Sequence, residues 1–292
     1  MELRVLNYFL TVAREKTISK AAEVLHLTQP TLSKQLKELE EELGVKLFNR
    51  GNRSITLTEE GIYLAKRGKE ILALVELTTS NLHVNDIIGG QIAIGAGETR
   101  AFEFVGERLH KIRMNYPEIN FQIYSGNADD VLEKIDHGVL DFGLVINPVD
   151  KQKYQYLQLP LVDNWGLLVN NSHNLASNKY IEPNDIKQIP LLISSQTLVD
   201  SQLAEWLGGN LDQLTIIGSY NLLYNASLLV KENIASALCI DGILNTTATN
   251  LTFIPLWPPI TATINIVWKR NATFSNAAKV FLQLIQKDLE LD

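Results

Sequence analysis

The chain reads as an α/β protein: an N-terminal winged helix-turn-helix, one long helix, then a region of alternating strands and helices. Three observations lead there. Apolar residues at Ile18, Ala21, Ala22 and Leu25, and again at Leu32, Leu36, Leu39 and Leu43, mark two short amphipathic helices separated only by His26-Leu27-Thr28. From Thr58 to about Ile88 a single helical pattern carries a narrow apolar seam. Beyond Gly89-Gly90, short apolar runs alternate with amphipathic stretches to the C-terminus. The organisation expected is 1–58, 59–88 and 89–292.

Leu3, Leu6, Leu10 and Ala13, widened by Phe9 and Val12, form a broad stripe on a supporting first helix. Ser19 is the expected N-cap of the second helix and Thr28 that of the third, with Pro30 in the first turn, where its missing N–H costs nothing. The third helix offers Gln29, Thr31, Ser33, Lys34 and Lys37 on its polar side. Gln pairs with adenine edges, Ser and Thr bond bases or phosphates, and Lys neutralises phosphate. The same residues also suit an ordinary solvated face. Gly51-Asn52 then marks a turn between β-prone runs, flanked by Arg50 and Arg53, which suit a phosphate or the minor groove. His26, in the corner, fits packing or a phosphate contact.

The whole chain has a net charge of -7, but residues 1–58 carry +2 and residues 91–292 carry -7. Whole-chain acidity therefore does not exclude nucleic acid as a partner of the first part. No window approaches a membrane span, and Met1-Glu2-Leu3-Arg4 does not read as a secretory signal. The single cysteine, Cys239, lies in an apolar run, which suits a buried thiol in a reducing cytoplasm.

Ala21-Ala22, Gln29, Leu32-Ser33, Leu39-Glu40, Leu43-Gly44, Leu47-Phe48, Arg50, Arg53, Leu57-Thr58 and Gly61 resemble the N-terminal signature of LysR-type transcriptional regulators. The resemblance implies a winged helix-turn-helix, a long linker helix that dimerises, and a two-lobed α/β effector domain built like periplasmic binding proteins. It implies double-stranded operator DNA and a small-molecule effector as partners, no membrane association, and a homodimer or a dimer of dimers. The DNA-contact set is then Ser19, Gln29, Pro30, Thr31, Ser33, Lys34, Lys37, Arg50 and Arg53. Gly138, Leu140-Asp141, His173 with Leu175-Ala176, and Val230 with Ala237-Leu238 resemble the family more loosely.

Within the long helix, Thr58 caps and Glu59-Glu60 suit the helix dipole. Leu64, Ile71, Val75, Thr78 and Leu82 form the seam, which favours a partner helix over an intramolecular role. Gly68 inside it either permits close approach or weakens the helix. The C-terminal pattern predicts strands at Gln91–Gly95, Ile119–Ile123, Asp141–Ile146, Gly166–Val169, Leu191–Ser194, Thr215–Ser219, Ile234–Ile240 and Ile264–Trp268. Helices begin near Phe102, Asp129 and Ala226, and a last one carries Ala278, Phe281, Leu282, Ile285 and Leu289. A mostly parallel sheet with helices on both faces is expected. The family resemblance divides it into lobes at about 91–161 with 266–292, and 162–265.

Ligands of open α/β sheets bind beyond the carboxyl ends of strands. Three loops fit: Gly97-Glu98-Thr99-Arg100, Ser125-Gly126-Asn127-Ala128, and Ser194-Ser195-Gln196-Thr197. Ordinary caps and turns use the same residue types. Thr99 matches a family effector-contact position, while Gly97 stands where many relatives have Ser. A small carboxylate is the first expectation for the ligand, and Glu98 keeps a zwitterionic or amine-bearing metabolite beside it. Asn233 and Ala235 replace glycines expected from the family, though Asn tolerates a left-handed turn.

The five histidines are scattered without metal-ligand spacing, and no nucleotide-binding or hydrolase motif occurs. No catalytic residue, metal or cofactor is expected. The two rival classes are a solute-binding protein whose N-terminal part only dimerises it, and an enzyme using the C-terminal cleft.

Overall fold

A computed structural model of the chain describes residues 1–50, 55–82, 88–146, 150–194, 201–209 and 213–289. They form two compact units, Met1–Ser80 and Asn81–Asp292.

In the first unit α1 (Leu3–Glu15), α2 (Ile18–Val24) and α3 (Gln29–Leu43) enclose a core of Leu6, Phe9, Val12, Ala21, Leu32, Leu36 and Leu39. The α2 cap differs from expectation. Thr17, extended and one residue before the helix, accepts the Lys20 N–H, whereas Ser19 lies inside the first turn. Thr28 caps α3 by accepting the Thr31 N–H, with Pro30 in the first turn as expected. The corner between α2 and α3 places His26 at φ 54°, in the left-handed region, while Leu27 N–H reaches back to the Ala22 carbonyl. Gly44 ends α3 at φ 71°, where a side chain would be strained.

The wing is the antiparallel pair β1 (Phe48–Arg50) and β2 (Ile55–Leu57), with Phe48 opposite Leu57. Its tip, with Gly51, Asn52 and Arg53, lies outside the described residues. Glu40 is only 5% exposed and binds the wing's start, accepting N–H bonds from Leu47 at 2.8 Å and Phe48 at 3.3 Å. Lys46 Nζ sits 3.2 Å from the same carboxylate. Burial opposes its charge, but the Leu47, Lys46 and Phe48 donors outweigh that and hold the carboxyl below the usual range.

Helix α4 (Glu59–Leu82) starts from Thr58, whose hydroxyl accepts the Gly61 N–H and donates to the Lys46 carbonyl at 2.7 Å. A Cβ on Gly61 overlaps the Leu47 carbonyl oxygen, so only glycine lets α4 pass the wing this closely. Part of the expected seam faces inward. Leu64, Ala65 and Leu72 pack on the core of α1–α3, and a Cβ on Gly68 stands 2.8 Å from Leu6. Gly68 therefore admits α1. Ile71 and Thr78 of the expected seam are exposed, as are the apolar Tyr63 and Leu74, with Ile62 off to one side. Val75 is half-buried, and the Leu82 side chain lies outside the described residues.

The second unit is built on one nine-stranded sheet with path β4-β3-β5-β11-β6-β9-β7-β8, β10 pairing with β6. Its strands are β3 (Gly90–Ala96), β4 (Ile119–Ser125), β5 (Phe142–Ile146), β6 (Tyr154–Asn170), β7 (Pro190–Ser194), β8 (Thr215–Tyr220), β9 (Ser236–Ile240), β10 (Leu251–Pro255) and β11 (Thr261–Lys269). The sheet is mixed, which corrects the expectation of a mostly parallel one. β3 with β4 and β5, and β7 with β8 and β9, are parallel, but β5-β11-β6-β9 in the middle is antiparallel throughout. The cause is β6, which is 17 residues long and pairs at one end with β11 and at the other with β9 and β10. Pro160, Asp163 and Asn164 in its middle disguise it as two segments. β10 and the short helix α7 (Ser201–Trp206) were likewise not foreseen.

Among the described residues two main cores lie along this sheet, with a third apolar cluster under α8. Ile92, Ile94, Phe142, Leu144 and Ile266 pack with α5 (Phe102–Asn115) and α9 (Asn276–Leu289). On the sheet's other face α6 (Ala128–Asp136) closes in because a Cβ on Gly95 or Gly143 meets Val131 at 2.9 and 2.6 Å. The second core joins Leu167, Val169, Leu191, Ile193, Leu238 and Ile254, while α8 (Leu223–Lys231) covers Leu168, Ala237 and Cys239. Asn233 takes the left-handed turn at φ 59°, so β9 starts at Ser236 and not at Ile234. Cys239 is wholly buried, and desolvation pushes its thiol up, which keeps it protonated.

Asp141 joins the first core's strands through Oδ2, which accepts the Ala93 N–H at 2.9 Å. Burial raises its pKa to about 6, against that one stabilising bond. A raised carboxyl pKa means the folded state holds the proton longer, so stability falls as pH rises from about 4 to 6. Asp141→Asn keeps the acceptor and removes the charge. Its stability relative to wild type should climb over that window by up to about 3 kcal/mol, read by urea melts at pH 4, 5, 6 and 7. Glu40→Gln should behave oppositely. A lowered pKa gives stability that is present above the ordinary carboxylate value and lost as pH falls through the folded one. The variant should lose about 1–3 kcal/mol at pH 7, with the gap closing in acid.

Candidate functional site

Ser19, Gln29, Pro30, Thr31, Lys34 and Lys37 are all exposed, and Ser33 is half-buried. Ser19 Oγ donates to Gln29 Oε1 at 3.2 Å, coupling α2 to the first turn of α3. Thr31 shares its hydroxyl with the cap Thr28 at 2.8 Å. Lys34 and Lys37 pair along the helix with Glu38 at 3.7 Å and Glu41 at 3.3 Å. Such exposed pairs are worth little, so a phosphate can take either lysine at small cost. Lys20, exposed beside Ser19 and paired with Glu15 at 3.2 Å, is a further cation at this surface that the sequence reading passed over. Arg50 has its backbone in β1, but its side chain, like all of Arg53, lies outside the described residues.

In the second unit the first two expected loops come together. Gly126 N–H donates to the Ala96 carbonyl at 3.0 Å, and a Cβ on Gly97 would lie 3.8 Å from the Gly126 carbonyl oxygen. A cavity of about 30 Å³ opens there, lined by Gly97, Glu98, Thr99, Ala128 and the apolar Leu144, Val145, Ile146 and Ile264. Ile146 packs against both cores. The third loop, Ser195, Gln196 and Thr197, lies outside the described residues. Asn127 is spent as a cap, its Oδ1 accepting the Asp130 N–H at 2.8 Å, and Ser125 ends β4.

Glu98, Thr99 and Arg100 do not simply line the cleft. Thr99 donates to Asp163 Oδ2 at 2.5 Å, and Glu98 accepts the Leu223 N–H at the start of α8. Asp163 is 5% exposed. Burial raises its pKa, the Thr99 bond lowers it, the charge of Asp241 raises it, and Arg100 lowers it, for a net rise. Asp241 in turn accepts the Asn164 N–H at 2.8 Å. No local pattern flags Asp163, Asp241 or Leu223, because the contacts join residues 64 to 125 positions apart.

Residues 3–62 match the model of bacterial regulatory helix-turn-helix proteins of the lysR family, and residues 86–290 match the LysR substrate binding domain. The chain belongs to the LysR family of transcriptional regulators. It is therefore a DNA-binding regulator with a substrate-binding domain. It is 33% identical to the transcriptional regulator BsdA of Bacillus subtilis over 198 residues, which cover 66% of this chain and 67% of that protein. It is 29% identical to the uncharacterized regulator YwbI of the same organism, over 97% of this chain and 95% of the relative. The fold of the crystal structure of CbnR, a LysR family regulator, agrees with TM-score 0.78 at 18% identity over 98% of this chain and 99% of CbnR. CbnR has also been solved as a complex with its target DNA, at TM-score 0.75 and 18% identity over the same shares. Among the described residues, no helix of this LysR-type chain is long and apolar enough to cross a membrane.

On a LysR-type recognition helix, residues that read bases and residues that only hold phosphate separate by experiment. Gln29→Ala should cost about 1–3 kcal/mol on operator DNA and relax discrimination at one base pair. Lys37→Ala should weaken binding to all sequences alike and reduce the slope of log K against log salt by about 1. Fluorescence anisotropy at several salt concentrations measures both.

Proposed function

We propose that two copies of this chain bind one operator, each presenting α3 to a major groove and its wing to the flanking backbone, under the control of a metabolite in the effector-domain cleft. The exposed polar face of α3, held in place by the Glu40 clamp on the wing, carries this reading. Gln29, Thr31 and, at the edge, Ser33 and Lys34 face bases. Ser19, Pro30 and Lys37 lie along the backbone, and Arg50 and Arg53 complete the contact from the wing.

Dimerisation is assigned to α4, with its seam rotated from the sequence-predicted one. Tyr63, Ile71 and Leu74, spaced eight and three residues apart, lie along one exposed side of the helix, with Val75 at its edge. Leu64 is excluded because it serves the core of its own unit. α8, the turn after it and the edge strand β8 expose a second apolar set, Ile217, Tyr224, Leu228, Leu229 and Ile234, which suits further self-association.

The effector cleft lies at Gly97–Arg100 and Ser125–Asn127, between lobes of about 91–161 with 266–292, and 162–265. Its polar loops and apolar floor suit a small carboxylate or zwitterionic metabolite. The protein acts in the cytoplasm and carries out no chemistry on its ligand. Against the rival of a solute binder that merely dimerises stands the polar α3 face, which such a protein has no use for.

Binding of the full-length protein to DNA upstream of its own gene tests this, as a specific shift at moderate salt is expected. Absence of a specific shift favours the solute binder. Ile71→Asp with Leu74→Asp should raise the dimer dissociation constant roughly tenfold or more, followed by sedimentation, without unfolding α1–α3.

A further inference from the structure

Glu98, Thr99 and Arg100, which follow β3 and Gly97, each engage a different element of the second core's half. Glu98 accepts the backbone N–H of Leu223, 125 residues away. Leu223 opens α8, whose N-cap is Leu222, an apolar residue that cannot cap it. A carboxylate at that end satisfies an orphan amide and meets the positive end of the helix dipole. The charge of Glu98 is also felt by Tyr220, a buried phenol whose hydroxyl donates to the Leu238 carbonyl at 2.5 Å. Next in the chain, Thr99 bonds Asp163 in the middle of β6, and the same hydroxyl accepts the Ala101 N–H at 3.0 Å. Arg100 then lays its stem over Gly242, where an added Cβ would stand 2.8 Å from Cδ, and where φ of 72° already disfavours any side chain.

We propose that Glu98-Thr99-Arg100 is an internal latch: Glu98 caps α8 from across the cleft and holds the two halves of the effector domain closed without a ligand. The inference rests on the effector-cleft reading above. The cavity beside the latch, about 30 Å³, is lined by Glu98 and Thr99, the same two residues whose contacts reach α8 and β6, so a ligand seated there meets the latch directly. Effector binding then competes with contacts the chain makes to itself, and the effector shifts the domain only by as much as it prefers the unlatched arrangement. Glu98 thereby sets the concentration at which the regulator responds. A loop serving only as the start of α5 would need none of the three contacts.

Hydrogen exchange on the full-length protein tests the latch, comparing wild type with E98A, E98Q and T99V. In E98A the amides of the α8 first turn and those of residues 97–101 should exchange faster together, by about tenfold or more, while the interiors of β3 and α9 keep their protection. E98Q, which retains an acceptor without the charge, should fall between, and T99V should loosen the same two segments. Wild-type exchange at both segments in E98A would overturn the proposal, as would acceleration confined to Leu223, which would make Glu98 a local cap. Operator binding by the same variants is read separately. Protein that shifts DNA without the exchange change refutes the latch alone, and the exchange change without any DNA binding refutes the regulator reading.

Discussion

The buried carboxylate of Glu40 is the tie on which the DNA-binding unit depends. Three elements meet at Lys46–Phe48: the end of α3, the start of the wing and the start of α4. Glu40 takes the Leu47 and Phe48 amides, Thr58 takes the Lys46 carbonyl, and Gly61 lies against the Leu47 carbonyl. Without the carboxylate, two buried N–H groups lose their acceptor, which costs more than an ordinary surface bond contributes. The recognition helix, the wing and the long helix are therefore positioned together. That shared anchor ties the position of α3 to that of α4.

The effector domain works by a different constraint. Its sheet is continuous, yet its apolar side chains divide into two cores that share Ile146 and the long strands β6 and β11. Besides Ile146 and the shared strands, three contacts link the two halves: a carboxylate on a helix end, a hydroxyl on a buried aspartate, and the aliphatic stem of an arginine on a glycine. Apolar cores resist shear because they are close-packed, whereas hydrogen bonds of this sort exchange for ligand contacts at small net cost.

What was legible in the sequence follows from the range of the interactions. Helix spacing, the Thr28 cap, Pro30 and the left-handed turn allowed at Asn233 are local, and the structure bears them out. The Ser19 cap failed by two residues, because Thr17 sits in the extended conformation a cap needs. Of the seam on α4, Leu64 and Gly68 face the unit's own core and Ile71 and Thr78 are exposed, a division that periodicity cannot show because it does not reveal that α1 lies over Gly68 and Leu64. The mixed sheet was hidden because β6 interrupts its apolar pattern with Pro160, Asp163 and Asn164. At the cleft, Glu98, Thr99 and Arg100 were identified by position, but their partners in β6, α8 and the turn after β9 lie far along the chain and leave no local trace.

A hydroxyl-radical footprint of the full-length protein on its own upstream DNA bears most directly on the claim that a dimer reads the operator through paired α3 helices. Two protected backbone segments on one face of the duplex, separated by a whole number of helical turns, are predicted. A single protected patch, or protection that does not depend on α3, would contradict it.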